Sequence, residues 1–176
     1  MESKSYKQLL SAITTFIFDI DGVLTDGTVH ITSSGELLRT MNVKDGYALR
    51  TAIKLGYHIC IISGGKNEGV KTRLQGLGIK HIYLGVGDKV KCLETFINNN
   101  NIAIQNIVYM GDDIPDIRVI QMVGLPCCPQ DAIPEIKAVC NYISHKNGGQ
   151  GAVRDILEQV MKVQGNWEKN FDANYD

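Results

Sequence analysis

Apolar residues in this chain come in short unbroken runs that stop abruptly at polar ones, and between the runs they recur at helical spacing. Positions 13–18 (Ile-Thr-Thr-Phe-Ile-Phe), 58–62 and 107–110 are such runs, with the pattern of strands buried on both faces. Weaker runs at 81–84, 123–125 and 139–143 complete the set. Helices are expected between them: 6–12, 67–75, 88–98, 116–122, one from Ala132, and a terminal one through Val153, Ile156, Leu157, Val160 and Met161. Another is expected to open at an Asp45 N-cap, run through Ala48, Leu49, Ala52 and Leu55, and stop at Gly56. One stretch breaks the alternation. Segments 28–32 and 36–43 flank Ser33-Ser34-Gly35, which predicts a β-hairpin after the first strand.

Strands alternating with helices predict an α/β fold, a Rossmann-like three-layer sandwich around a mainly parallel sheet with right-handed crossovers. The hairpin flap (about 28–43) is the only addition, and neither the interval Asp21–Ser63 nor Ser63–Lys89 has room for a cap domain. No repeat or linker divides the 176 residues, so one domain, 1–176, is expected, with a polar tail at about 165–176. A net charge of -1 gives no electrostatic footprint for nucleic acid or an anionic membrane surface. No apolar run approaches the ~20 residues of a bilayer span. A cytoplasmic protein is expected, and Cys60, Cys92, Cys127, Cys128 and Cys140 read as free thiols with no metal-ligand spacing.

The strand ends carry the chemistry. The first closes on Asp19 and Asp21, the second on Ser63-Gly64, and the fourth on Gly111-Asp112-Asp113 with Asp116 beyond. Lys89 opens a helix after Gly87. In a parallel sheet the carboxyl edge of the strands is where ligands bind. Carboxylates two apart on a strand face the same side and repel unless a cation intervenes, and hard Mg²⁺ takes such oxygen ligands. Acids, a hydroxyl, glycine backbone and a lysine at one edge make a metal-assisted phosphate site. Asp19 is the expected nucleophile and Asp21 the acid/base. Asp112 completes the cation site with Asp19 and Asp21. Ser63, Gly64 and Lys89 hold phosphate, and Asp113 or Asp116 orients Lys89 or a metal-bound water.

The motifs Asp19-x-Asp21-Gly22-x-x-Thr25-Asp26, Ser63-Gly64, Lys89 and Gly111-Asp112-Asp113-x-x-Asp116 resemble, in order, the four signatures of the haloacid dehalogenase-like phosphatases. The resemblance implies Mg²⁺ dependence, an aspartyl-phosphate on Asp19, and Asp21 binding the metal through its backbone carbonyl. Asp26-Gly27, Val43-Lys44-Asp45-Gly46 and Gly148-Gly149-Gln150-Gly151-Ala152-Val153-Arg154 further resemble the capless 3-deoxy-D-manno-octulosonate 8-phosphate phosphatases. That family implies homotetramers in which hairpins assemble together and neighbouring subunits cover each site. It makes Arg154 and the tail candidates for substrate contact, within a subunit or across an interface, and Thr25 and Lys66 are expected substrate contacts beside them. Many octulosonate phosphatases carry Ser-Gly-Arg where this chain has Ser63-Gly64-Gly65-Lys66. A lysine is a point charge where arginine offers a fork, so nonulosonate 9-phosphate phosphatases are the competing resemblance. From another class, a phospho-acceptor signalling module would share the strand-end acids without needing Asp21 as an acid/base.

Overall fold

The structure, a computed structural model, describes residues 6–167. Strand β1 (Thr15–Phe18) lies between β4 (His58–Ile62) and β6 (Ile107–Met110), parallel to both. Outside them sit β5 (His81–Tyr83), β7 (Leu125–Cys128) and β8 (Tyr142–Ile143), giving the order β5-β4-β1-β6-β7-β8 with every pairing parallel. Side chains alternate between two cores. Phe16, Phe18, Ile59, Ile61, Val108 and Met110 face one layer, while Ile17, Cys60, Ile62, Ile107 and Tyr109 face the other. Helices α1 (Tyr6–Leu10), α2 (Val43–Lys54), α3 (Glu68–Gly76) and α7 (Ala152–Val163) cover the first face. Helices α4 (Lys89–Asn100), α5 (Ile117–Ile120) and α6 (Pro134–Val139) cover the second. This is the three-layer α/β sandwich expected. Among the described residues no helix is long and apolar enough to cross a membrane.

Several elements begin or end elsewhere than the sequence pattern suggests. Helix α2 is capped by Asn42, whose side chain accepts from Lys44 N (2.9 Å), so it starts before Asp45. Asp45 is left buried on the first turn, where it accepts the backbone N–H of Arg154 (2.8 Å) and so caps α7, whose own N-cap is Gly151. Strand β7 runs through Pro126 instead of ending before it; that carbonyl accepts from Asn141 N (3.0 Å). The hairpin is reduced to β2 (His30–Ile31) and β3 (Leu37–Leu38), a ribbon apart from the main sheet. With Ile31 73% and Leu38 51% exposed, no layer supports a longer one. The expected tail starts docked: Trp167 is buried edge-on to Tyr47, and Gln164 donates to Leu10 O and Ile13 O. Residues 168–176 lie outside the described part.

Candidate active site

The central strand delivers the first acid. Asp19 N still donates to Met110 O (3.1 Å), so its side chain emerges where β1 leaves the sheet. Ser63 leaves β4 next door, buried, with its N–H on Tyr83 O and its carbonyl on Val86 N (both 3.0 Å). Asp112 follows β6 on the other flank. The three exits line one cavity of about 690 Å³, shared with Asp21, Gly64, Lys89, Asp113 and Asp116.

Lys89 sits at the first position of α4, behind the Asp88 cap that accepts from Val90 N and Lys91 N. A cation there opposes the helix dipole, so helix stability does not explain it. The carboxylates do: Nζ lies 2.9 Å from Asp19 Oδ2 and 2.7 Å from Asp116 Oδ1 with Lys89 only 8% exposed. Burial works against its charge, but the two carboxylates outweigh burial and raise its pKa. Asp116 Oδ1 also accepts the buried hydroxyl of Tyr109 (2.8 Å).

The donor set fits a hard divalent ion. Asp19, Asp112 and Asp116 each offer an oxygen within 4.8 Å of the others. Asp19 Oδ1 and Asp116 Oδ2 are buried without a hydrogen-bond partner, a costly state that a cation would relieve. Burial first, then the carboxylates of Asp116, Asp19 and Asp113, push Asp112 up to about 7. Three crowded acids answered by one lysine leave room for more positive charge, and an oxygen-only set suits Mg²⁺. Gly22 makes this packing possible. Its φ is +80°, and a Cβ there would lie 1.9 Å from Asp112 Oδ2. The glycine-rich stretch before α7 braces the same loop: Gly149 N donates to Val23 O (2.9 Å), and a Cβ on Gly148 would lie 1.9 Å from Gly22 O.

The structure brings Asp19, Asp21, Ser63, Gly64, Lys89, Asp112, Asp113 and Asp116 to this cavity. Of the two residues expected to orient Lys89, Asp116 contacts it, while Asp113 is exposed and caps the following turn at Ile114 N (2.8 Å). The expected substrate contacts are placed differently. Thr25 is fully buried and turned into its own loop, where Oγ1 accepts from Gly22 N and Gly27 N and donates to Ile20 O. Lys66 lies across Gly85 and lines a neighbouring cavity of about 410 Å³ with Glu68 and Lys71. Arg154 lies on α7, paired with Glu158 and 5.8 Å and 5.5 Å from the ring centres of Tyr47 and Trp167; it does not line this chain's own cavity.

Two residues were missed. Tyr109 was signalled by a hydroxyl inside an otherwise apolar strand, which must find a partner when buried. Arg39, just past β3, grips the Asp21 carboxylate through Nε–Oδ1 (2.7 Å) and Nη2–Oδ2 (3.1 Å). Its only sequence signal is a cation ending an apolar ribbon beside an acid-rich loop. The Gly65 departure meets it: a Cβ on Gly65 would lie 3.1 Å from Asp21 Oδ2 and 3.7 Å from Arg39 Nη2.

The chain is also similar to known proteins. Residues 81–157 match the haloacid dehalogenase-like hydrolase family. The chain is 37% identical over 153 residues to the 3-deoxy-D-manno-octulosonate 8-phosphate phosphatase of Salmonella typhi, covering 87% of this chain and 81% of that one. The crystal structure of the Yersinia pestis phosphatase of that name superposes with a TM-score of 0.91 at 32% identity, covering 93% of this chain and 88% of the other. The Moraxella catarrhalis phosphatase, solved in complex with magnesium ion, phosphate ion and KDO, superposes with a TM-score of 0.88 at 33% identity, over 91% and 92% of the two chains. With its strand-end acids, buried lysine and near-full-length likeness, the chain belongs to the 3-deoxy-D-manno-octulosonate 8-phosphate phosphatases among the haloacid dehalogenase-like hydrolases.

Proposed function

We propose that this chain hydrolyses 3-deoxy-D-manno-octulosonate 8-phosphate to the free sugar acid and phosphate, a step in lipopolysaccharide precursor synthesis, with Mg²⁺ as cofactor. The observation that carries the reading is the Asp19–Lys89–Asp116 chain at the exit of the central strand, with Asp112 alongside and two buried carboxylate oxygens unpartnered. Asp19 is the nucleophile. Lys89 holds its Oδ2 at 2.9 Å, which fixes the orientation of the carboxylate for in-line approach. Attack forms the Asp19–phosphorus bond and breaks the bond to the sugar oxygen, which takes its proton from Asp21. Asp21 then removes a proton from water, whose attack on phosphorus returns Asp19 as a carboxylate. Ser63, the Gly64 backbone and Lys89 hold the phosphoryl oxygens as charge builds. Asp19 and Asp112, with the backbone carbonyl of Asp21, would hold Mg²⁺, which would offset the repulsion between carboxylate and phosphate.

Acid/base help accounts for about 10²–10⁴ of rate, against the ~10²¹ that enzymic phosphate-monoester hydrolysis can reach. Positioning and charge stabilisation therefore carry most of the acceleration. The cavity is open, so part of its cover belongs to other subunits in this reading. The exposed apolar side chains of Ile31, Leu37 and Leu38 on the ribbon are surface for a homotetramer assembled through its hairpins. A cytoplasmic location fits the five free cysteines.

The test is a steady-state comparison of octulosonate 8-phosphate with nonulosonate 9-phosphates and simple sugar phosphates, with and without chelator. Highest kcat/KM on the octulosonate, abolished by chelation and restored by Mg²⁺, supports the proposal; preference for a nonulosonate overturns the substrate. Sustained phosphate release also separates an enzyme from a phospho-acceptor module. Ile31→Asp with Leu38→Asp should dissociate the assembly, read by light scattering, and an unchanged mass refutes the hairpin interface.

A further inference from the structure

Asp19 and Asp21 have separate cations. Lys89 serves the first from the sheet side, and Arg39 serves the second from the hairpin. The burial of the second pair is lopsided: the Arg39 side chain is 7% exposed and that of Asp21 35%. A buried guanidinium at the base of a largely exposed ribbon is the reverse of an ordinary surface ion pair, in which both heads stay wet and contribute little. Its contact is a two-point fork, with Nη1 turned back to Leu37 O (3.4 Å) within the same ribbon. The ribbon is further tied down by Asn67, whose side-chain amide donates to Leu37 O (2.6 Å). Gly65 leaves the approach clear, since any larger side chain there would begin 3.1 Å from Asp21 Oδ2.

We propose that Arg39 is a positioning residue for Asp21, its guanidinium fork fixing the carboxylate's orientation at the mouth of the cavity and fastening the hairpin beside it. The inference rests on the acid/base role given to Asp21 above. An aspartate on an open cavity wall otherwise turns freely about two side-chain bonds. Proton transfer needs hydrogen-bond reach to one oxygen of the leaving group, and a misplacement of about 1 Å costs on the order of 10²-fold. Lysine would supply the charge but not the planar fork. Arg39 touches neither phosphorus nor leaving group in this scheme; it acts through Asp21.

The experiment compares wild type, Arg39→Ala and Arg39→Lys in saturating Mg²⁺ on two substrates. One is the sugar-acid phosphate, whose alkoxide leaves only with a proton. The other is p-nitrophenyl phosphate, whose leaving group needs none. Arg39→Ala should lower the single-turnover rate of leaving-group release roughly 10- to 100-fold on the sugar-acid phosphate and less than about threefold on the aryl phosphate, with Arg39→Lys in between; release is read in a single turnover because hydrolysis of the aspartyl-phosphate, where Asp21 is the base, is common to both substrates. In an Asp21→Asn background, Arg39→Ala should add less than about twofold, because its effect passes through the missing carboxylate. Equal losses in the rate of leaving-group release on both substrates, a change confined to substrate affinity, or full multiplicativity in that background would each overturn the proposal. If Arg39→Ala fails to fold by circular dichroism, Arg39→Lys and Arg39→Gln carry the same comparison. A wild-type enzyme inert on the sugar-acid phosphate would sink the substrate reading alone, and the cycle is then read on a plain alkyl phosphate.

Discussion

Asp112 makes the metal affinity of this site depend on pH in a way that can be worked out beforehand. Burial and the neighbouring carboxylates of Asp116, Asp19 and Asp113 raise it from its ordinary 3.8 to about 7 in the metal-free protein. Mg²⁺ takes the carboxylate form, so binding must expel the proton wherever Asp112 holds one. With a value near 7, about nine in ten molecules carry that proton at pH 6 and about one in ten at pH 8. The apparent Kd should therefore weaken about tenfold from pH 8 to pH 6, equivalent to ~1.4 kcal/mol. Isothermal titration calorimetry in buffers of different ionisation enthalpy reads both quantities, and nearly one proton should appear per Mg²⁺ at pH 6. Stability follows the same linkage. Because the folded value is raised, the contribution of Asp112 to metal-free stability is full below about 4 and is lost as pH rises through about 7. Added Mg²⁺ should remove that loss. A Kd flat from pH 6 to pH 8, with no proton released, would refute the electrostatic account of the site.

Other perturbations follow from the same geometry. Lys89→Met leaves Asp19 and Asp116 facing each other uncompensated, and should cost ~3–5 kcal/mol of metal-free stability and at least about 10²-fold in kcat; urea melts with and without Mg²⁺ check the first and steady-state assays the second. Gly148→Ala drives a methyl to within 1.9 Å of Gly22 O, backbone that cannot rotate away. It should lower stability by ~1–3 kcal/mol and shift the Asp19–Gly22 loop, so a variant matching wild type in Tm and activity would contradict the packing. Asp45 is held up at about 6, burial outweighing the hydrogen bonds from Arg154 and Gly151. Its stabilising effect is full below about 4 and fades as pH rises through 6. Asp45→Asn keeps an acceptor for Arg154 N, so it should flatten the Tm profile between pH 4 and pH 7 and raise Tm at pH 8.

The sequence pattern made the sheet legible because strands buried on both faces leave continuous apolar runs. Positions 58–62 and 107–110 coincide with β4 and β6. Their polar ends could be grouped from topology alone, since parallel strands point their exits one way. Contacts made at long range were not readable. Arg39 reaches Asp21 only through the fold of a ribbon whose strands are two residues each, and nothing local marks it. Asp45 has the local signature of a cap, and it is one, but for a helix that begins more than a hundred residues later. Asn42 wins the near position because it comes earlier in the chain and starts α2 sooner. Thr25 illustrates the opposite limit: membership of a motif fixes that a residue matters, and only the hydrogen bonds of Oγ1 show that it shapes the loop instead of facing the cavity.

The seat of Gly148 against Gly22 joins the last sixth of the chain to the loop that carries the first acids. During synthesis Asp19 is therefore made well before its brace, with more than a hundred residues to emerge between them. Such a chain should gain competence late and all at once, and fragments released before the final helix should be inert even where their central strands have paired. Ribosome-stalled chains of graded length, assayed for phosphate release, would show whether activity arrives as that single late step.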